Sequence, residues 1–77
     1  MKVDEAVRYR INELLLEKKM TISEVSLAGG LTPSTLYDFM RGTTAHIQLN
    51  TLKCVCMGFE LSLSSFFDKE YFNDFEE

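Results

Sequence analysis

Apolar side chains recur along this chain at intervals of three and four residues, which is the spacing of amphipathic helices rather than of strands. The first such group consists of Val3, Val7, Ile11, Leu14 and Leu15. Its spacing predicts a helix over about residues 4–19, with one apolar stripe turned toward the interior. Strand alternation and internal repeats are both absent from the sequence, so the pattern as a whole predicts an all-α fold.

A helix-start signal follows this first helix. Thr21 and Glu24 have the spacing of a capping box, in which each side chain accepts a hydrogen bond from the other residue's backbone N–H. The second helix is predicted to run from this cap to about Ala28. Gly29 and Gly30 end it, and Gly30 is free to adopt the positive φ that a tight turn requires.

A second start signal comes directly after the glycines. Thr32 is predicted to cap a third helix that begins at Pro33, where the missing N–H of proline is no loss. This helix runs to about Met40, and Gly42 stops it. Two capped short helices joined by a glycine-containing turn form a helix-turn-helix. The motif turns its second helix outward, so that the outer side chains can enter a DNA major groove.

The rest of the chain predicts two more helices after a loop at residues 42–48. The fourth apolar group consists of Leu49, Leu52, Val55, Cys56 and Phe59. It predicts a fourth helix, which ends at a left-handed residue that is either Gly58 or Glu60. Ser62 then caps a fifth, short helix. The predicted fold of residues 1–67 is therefore a compact five-helix bundle, followed by a short acidic aromatic tail at residues 68–77.

Charge is unevenly distributed between these two parts. The net charge of the 77 residues is −4, and residues 68–77 account for all of it, because they contain five acidic residues and only one basic residue, Lys69. Residues 1–67 carry equal numbers of acids and bases, so the body lacks the basic excess that by itself indicates nucleic-acid binding. No apolar run is long enough for a membrane span, and charged residues follow Met1 where a signal peptide would be apolar. We therefore expect a cytoplasmic protein.

Catalytic and metal chemistry find no support in the sequence. Cys54 and Cys56 point to nearly opposite sides of a helix, so they cannot pair, and two cysteines with one histidine make no zinc site. His46 has no recognisable nucleophile or carboxylate partner for catalysis. We expect no enzymatic activity, no cofactor, no metal and no small-molecule ligand.

The order and spacing of several residues resemble the lambda-repressor-like, Cro-type (XRE) family of bacterial and phage transcriptional regulators. The matching stretches are INELLLEKKMTISEVSLAGGLTPSTLYDFMRGTT and LNTLKCVCMGFELSLSSFF, which together cover roughly three-quarters of the chain. The resemblance implies a five-helix bundle whose third helix reads DNA, usually as a homodimer on a two-fold symmetric operator. The chain departs from the family pattern at Ile22, where a phosphate-holding Gln is common. It departs again at Leu15 and Met40, an apolar pair in place of an Arg–Glu ion pair.

Candidate DNA contacts are the outward side chains of the helix-turn-helix and of the loop after it. They are Thr21, Ser23, Thr32, Pro33, Ser34, Tyr37, Asp38, Arg41, Thr43, Thr44 and His46. Ser34 and Tyr37 suit base edges, and the hydroxyls and cations of the loop suit phosphates. Asp38 can accept a hydrogen bond from a cytosine amino group, or it can instead pair with Arg41 three residues on. Tyr37 can alternatively be partly buried at a helix junction.

The aromatic side chains near the C-terminus have two interpretations. The preferred one is a dimer interface formed by Leu63, Phe67, Tyr71, Phe72 and Phe75, because three tail aromatics exceed what so small a body can cover. The other is packing onto the same subunit. Two functions remain open in the same way: a sequence-specific DNA-binding regulator, or a protein-interaction module on the same fold, such as an antitoxin-like protein or a repressor antagonist.

Overall fold

Helices account for all the regular structure of residues 1–74, the part of the chain that this computed structural model describes. The elements are α1 (Val3–Lys18), α2 (Ile22–Ala28), α3 (Pro33–Met40), α4 (Leu49–Gly58), α5 (Leu63–Phe66) and a 3₁₀ turn (Glu70–Asn73). No strand occurs in this range, and the predicted all-α fold with five helices is confirmed.

A single apolar core joins all five α-helices. Its buried members are Val7, Ile11, Leu14, Val25, Leu36, Phe39, Leu52, Val55, Cys56, Phe59 and Phe66. The predicted stripe of α1 is right from Val7 onward but wrong for Val3, whose side chain is 50% exposed. The core begins only at Ala6 and Val7, so the first turn of α1 has no apolar surface to cover.

Arg10 is a charged side chain inside this core, only 6% exposed. Its Nε donates to the carbonyl oxygen of Phe66 at 2.7 Å, and its Nη2 donates to that of Ser65 at 3.0 Å. Its Nη1 donates to Glu13 at 3.1 Å. Arg10 therefore satisfies carbonyl groups at the end of α5, which a helix this short cannot satisfy within itself.

Two glycines allow the backbones of α2 and α4 to touch. A Cβ at Gly29 would lie 2.0 Å from the carbonyl oxygen of Cys54, and a Cβ at Gly58 would lie 2.2 Å from that of Val25. No side chain fits at either position without moving backbone. Gly58 is the last residue of α4 and is not the left-handed one. That residue is Glu60, at φ 60°.

The C-terminal segment folds back onto α1. The ring of Tyr71 packs edge-to-face on that of Tyr9, with 5.0 Å between centroids, and its hydroxyl donates to Glu13 at 2.9 Å. Burial, followed by the hydrogen bond to Glu13, raises the pKa of Tyr71 to about 12. Burial alone would raise the pKa of Glu13, but hydrogen bonds from Tyr71 and Arg10, with the charge of Lys69, outweigh it and lower that pKa.

Phe72 continues this packing. Its ring centroid lies 4.8 Å from that of Phe67 and 6.0 Å from that of the buried Phe66. Packing onto the same subunit, the alternative that the sequence left open, is therefore what Tyr71 and Phe72 show, because the 3₁₀ turn brings both rings onto α1 and α5 and leaves them partly buried. Phe75 lies outside the described residues.

Candidate nucleic-acid interface

The turn between α2 and α3 is fixed at both ends by the predicted devices. The Glu24 N–H donates to Thr21 Oγ1 at 3.1 Å, and the Thr21 N–H donates to Glu24 Oε1 at 2.9 Å, so the capping box is confirmed. Gly30 adopts φ 80°, and the Leu31 N–H then closes the turn on the Ser26 carbonyl at 2.8 Å. The result is a helix-turn-helix.

Helix α3 has an inner and an outer face. Leu36 and Phe39 are buried, whereas Ser34, Tyr37 and Arg41 are exposed. The outer face is therefore free to contact a partner, as the sequence predicts.

The start of α3 corrects one prediction. Thr32 occupies the N-cap position and Pro33 the first helical position, but the Thr32 hydroxyl accepts no capping hydrogen bond. The Thr35 N–H donates instead to the Thr32 backbone carbonyl, at 3.0 Å. The helix start is held by the proline and this backbone turn, and the exposed Thr32 hydroxyl makes no cap.

Asp38 and Arg41 pair with each other on the outer face. Arg41 Nη2 lies 2.9 Å from Asp38 Oδ1, which is the alternative that the sequence left open for Asp38. The Arg41 guanidinium also lies 5.9 Å from the ring centroid of Tyr37. The three side chains form one exposed group in which the acid and the base cancel, and no strong positive field arises from it.

The loop after α3 is tied to α1 at His46. The Nδ1 atom of His46 is hydrogen-bonded to Asp4 Oδ2 at 2.6 Å, although the sequence offered no partner for it. The loop is also tied to α3, because the Thr44 N–H donates to the Asp38 carbonyl at 3.1 Å. Thr43, Thr44 and His46 are all exposed. The loop therefore presents hydroxyls and an imidazole outward while its backbone is held.

Arg8, on α1, holds the end of α3 and the loop after it, which the sequence did not predict. Its Nε donates to the Phe39 carbonyl at 2.7 Å, and its Nη2 donates to those of Thr44 and Ala45 at 3.2 and 3.0 Å. Its guanidinium carbon also lies 4.4 Å from the Phe39 ring centroid. Its place beside Val7 gives no sign of this role, because the contacts depend on where the loop crosses α1. Arg10 could have been found, since it falls on the apolar stripe.

A groove of about 300 Å³, lined by both polar and apolar side chains, opens between α3, the loop and the start of α4. Its polar lining comes from Thr35, Asp38, Thr44, His46, Gln48 and Thr51. Asp38, Thr44 and His46 are among the predicted contacts, whereas Thr35, Gln48 and Thr51 are not. Hydroxyl, amide and imidazole groups at this density suit hydrogen bonding to phosphate and sugar oxygens.

The remaining predicted contacts surround the start of α2. Thr21 is exposed and Ser23 is half-buried, at a helix N-terminus where backbone N–H groups favour an anion. Ile22, Leu15 and Met40 are all partly buried against the core. These three side chains therefore contribute apolar packing rather than polar contacts.

Neither a metal centre nor a membrane span occurs within residues 1–74. No group of three or more His, Cys, Asp or Glu side chains there could hold a metal ion. No helix in that range is both long enough and apolar enough to cross a membrane.

These features define a helix-turn-helix protein with five helices and an outward third helix. A family model described as a Cro/C1-type HTH DNA-binding domain matches residues 10–68, and the chain belongs to this family. The resemblance identified from the sequence is thereby confirmed. The match begins within α1 and ends before the 3₁₀ turn. No curated protein and no solved structure matches the chain with significant similarity.

Proposed function

We propose that this protein is a sequence-specific transcriptional regulator that inserts α3 into the major groove of DNA. The observation that carries the proposal is the outer face of α3, where Ser34, Tyr37 and Arg41 are exposed beside the groove. Membership of a DNA-binding domain family supports it. In this arrangement α2 crosses the backbone while α3 reads base edges.

Each outer residue of α3 has a distinct role in the proposal. Ser34 lies in the first turn and contacts a base edge, and Tyr37 contacts a phosphate or a thymine methyl group. Arg41 contacts a phosphate at the end of the helix. Asp38 restrains Arg41 through their 2.9 Å ion pair and accepts a cytosine amino group only where that pair opens.

Phosphate contacts come from the threonines and His46 of the loop and from Thr21 and Ser23. Few of these groups are cationic, so few counterions are released on binding. We expect a shallow salt dependence, with a slope on the order of 3 to 6 per dimer in a plot of log affinity against log salt.

The deciding experiment is selection of binding sites from random duplex DNA with the purified protein. An enriched, two-fold symmetric sequence is the expected result. If no sequence is enriched even at low salt, the proposal fails and the same fold acts as a protein-interaction module. The neutralised pair of Asp38 and Arg41 is the observation that favours this second function.

Three variants then test the roles on the selected site. Ser34→Ala and Tyr37→Ala should each weaken that site by roughly 1–3 kcal/mol relative to other sequences. Arg41→Ala should weaken all sequences alike. The opposite pattern would show that the assigned roles are inverted.

Asp38→Asn is the matched partner of the arginine variant, because it frees Arg41 without removing it. Stronger binding to all sequences is expected if the carboxylate only restrains Arg41. A changed base preference would assign Asp38 a direct contact instead.

We also propose that the protein binds as a homodimer, with recognition helices about one DNA turn, roughly 34 Å, apart. Among the described side chains predicted for the interface, Leu63 is the most exposed, at 36%, whereas Phe67, Tyr71 and Phe72 are partly buried. Light scattering should show a monomer for Leu63→Lys. Deletion of residues 68–77 should do the same, but circular dichroism must first show that the shortened chain still folds. A dimer in both variants would place the interface elsewhere.

A further inference from the structure

The Arg8 guanidinium holds both ends of the segment that carries Arg41 and Thr43. One of its acceptors, the Phe39 carbonyl, lies in the last turn of α3. The other two, the carbonyls of Thr44 and Ala45, lie at the C-terminal end of the segment, which comprises residues 40–45. A single side chain from α1 thus fixes where α3 ends and how the loop leaves it.

The geometry requires an arginine. The three hydrogen bonds come from two nitrogens, Nε and Nη2, of one rigid guanidinium, whose carbon lies 4.4 Å from the Phe39 ring centroid. A lysine carries the same charge, but its ammonium group has neither the fixed planar arrangement of N–H donors nor the flat surface of a guanidinium. Charge and positioning can therefore be separated by one substitution.

No other described contact replaces this restraint fully. Leu15 and Met40 pack against the core near the ends of α1 and α3, but apolar packing is non-directional and does not orient a loop backbone. The hydrogen bond between Asp4 and His46 is a second tie, to the far side of the loop. Both Asp4 and Arg8 precede residues 10–68, the part that matches the family model. The tie is thus made by residues outside the common part of the domain.

Arg8 makes no salt bridge, but two carboxylates lie near it, since Asp4 and Glu5 precede it by one turn of α1 and line the same surface pocket. Its recorded partners are neutral carbonyls, and no carboxylate among residues 1–74 forms an ion pair with it. Arg41 and His46, by contrast, are each paired with an acid. Any role of Arg8 therefore rests on the geometry of its hydrogen bonds, because Asp4 and Glu5 offset its charge.

We propose that Arg8 is a positioning residue for DNA binding. It orders residues 40–45, so that Arg41, Thr43 and Thr44 are already in place to contact DNA phosphates. This role rests on the proposed DNA-binding function. Ordering the loop before binding removes that entropic cost from the binding step. Loss of the guanidinium should therefore reduce affinity even when the charge is kept.

The test compares Arg8→Lys with Arg10→Lys. Both substitutions replace an arginine of α1 that donates to backbone carbonyls, but Arg10 holds the end of α5 instead of the loop. Three quantities are measured for each: affinity for the selected duplex over a range of salt, hydrogen exchange of individual amides, and the unfolding midpoint. All binding is measured at a temperature where every variant is folded.

The expected results differ between the two variants. Arg8→Lys should weaken binding about ten-fold or more with an unchanged salt slope, since the charge remains. The amides of Gly42 and Thr44, which donate to Phe39 and Asp38, should exchange about ten-fold faster or more. The Leu31 amide in the other turn should not change. Arg10→Lys should lower the unfolding midpoint while leaving affinity and loop exchange as in the wild type.

Two results would overturn the positioning role: wild-type affinity in Arg8→Lys, or an equal loss of affinity in Arg10→Lys. The first would show that charge alone matters, and the second that global stability does. Arg8→Met is the further variant, and it should bind no better than Arg8→Lys. If the wild type binds no duplex, the proposed function fails, and unchanged exchange at Gly42 and Thr44 in Arg8→Lys would separately refute the ordering of the loop.

Discussion

Substitution of Gly29 by alanine should be far more harmful than substitution of Gly30, although Gly30 is the residue with the unusual backbone. Gly29 has φ −92°, which alanine adopts without strain, so local conformation predicts a neutral or slightly stabilising change. The obstacle is the neighbouring helix. The new Cβ would lie 2.0 Å from the Cys54 carbonyl oxygen and 2.8 Å from its carbon.

The magnitude follows from what must move. To reach ordinary contact, α2 and α4 must separate by about 1 Å or more, and the obstructing atoms are backbone atoms that cannot rotate away. Separation also loosens the buried contacts of Val25 and Val55 on both helices. We expect a loss of about 3 kcal/mol, at the upper end for an overpacked core. A domain of this size has a free energy of unfolding of only about 4–11 kcal/mol, so the loss is a large fraction of it.

Gly30→Ala is the matched control. Its φ of 80° strains an alanine, but nothing lies within 4 Å of the new Cβ. The loss should be about 1 kcal/mol, the cost of a left-handed residue. With about 4–8 °C per kcal/mol for small domains, the midpoint should fall by about 5 °C for Gly30→Ala and by about 15–20 °C for Gly29→Ala.

Thermal and urea unfolding followed by circular dichroism measure both losses. Gly58→Ala should resemble Gly29→Ala, because its Cβ would lie 2.2 Å from the Val25 carbonyl oxygen. A Gly29→Ala protein as stable as Gly30→Ala would refute the reasoning, since it would show that the two helix backbones do not touch.

Three further outcomes are expected. Ser26→Ala should raise the free energy of unfolding by about 1 kcal/mol in urea denaturation, because the Ser26 hydroxyl is buried without a hydrogen-bond partner. A lower free energy of unfolding would indicate that a bound water satisfies the hydroxyl. Tyr71 keeps its proton in the folded state up to about pH 12, against an ordinary pKa of 10.0, so its contribution to stability is complete below pH 10 and lost as the pH rises toward 12. Unfolding of Tyr71→Phe measured over this range should lack that decline, and an identical decline would contradict the assignment. Cys56 is buried, which raises the pKa of its thiol to about 11. In a Cys54→Ser protein, a thiol reagent at pH 8 should therefore label Cys56 only after unfolding. Rapid labelling of the folded protein would show that the core opens.

Local signals in the sequence were sufficient to predict the helices and most of their bounds. The capping box at Thr21, the proline at the start of α3 and the apolar spacing each depend on residues within one or two turns. The structure confirms α3 at its predicted bounds and places the end of α1 within one residue of the prediction. Even the left-handed position after α4 was one of two named residues, and Glu60 occupies it.

Contacts between distant parts of the chain were not predictable in this way. Arg8 binds carbonyls 31 to 37 residues away, and Tyr71 reaches Glu13 across 58 residues. A backbone carbonyl carries no side-chain signal, so nothing in the sequence marks Phe39 or Ala45 as the partner of an arginine. The same holds for Tyr71, because the sequence does not show that α1 leaves Tyr9 and Glu13 available to it. DNA contact and dimerisation stay predictions.

The hold of Arg10 on the end of α5 has a consequence for the order of folding. A helix of four residues is far below the length that is stable alone, so α5 can persist only once α1 is already in place beside it. Contacts at this separation slow the search for the native topology. We therefore expect α1 to α4 to condense first and α5 to dock late, so that Arg10→Lys speeds unfolding more than it slows refolding. Stopped-flow kinetics in urea would measure both rates, and slower refolding with unchanged unfolding would place α5 in the folding nucleus instead.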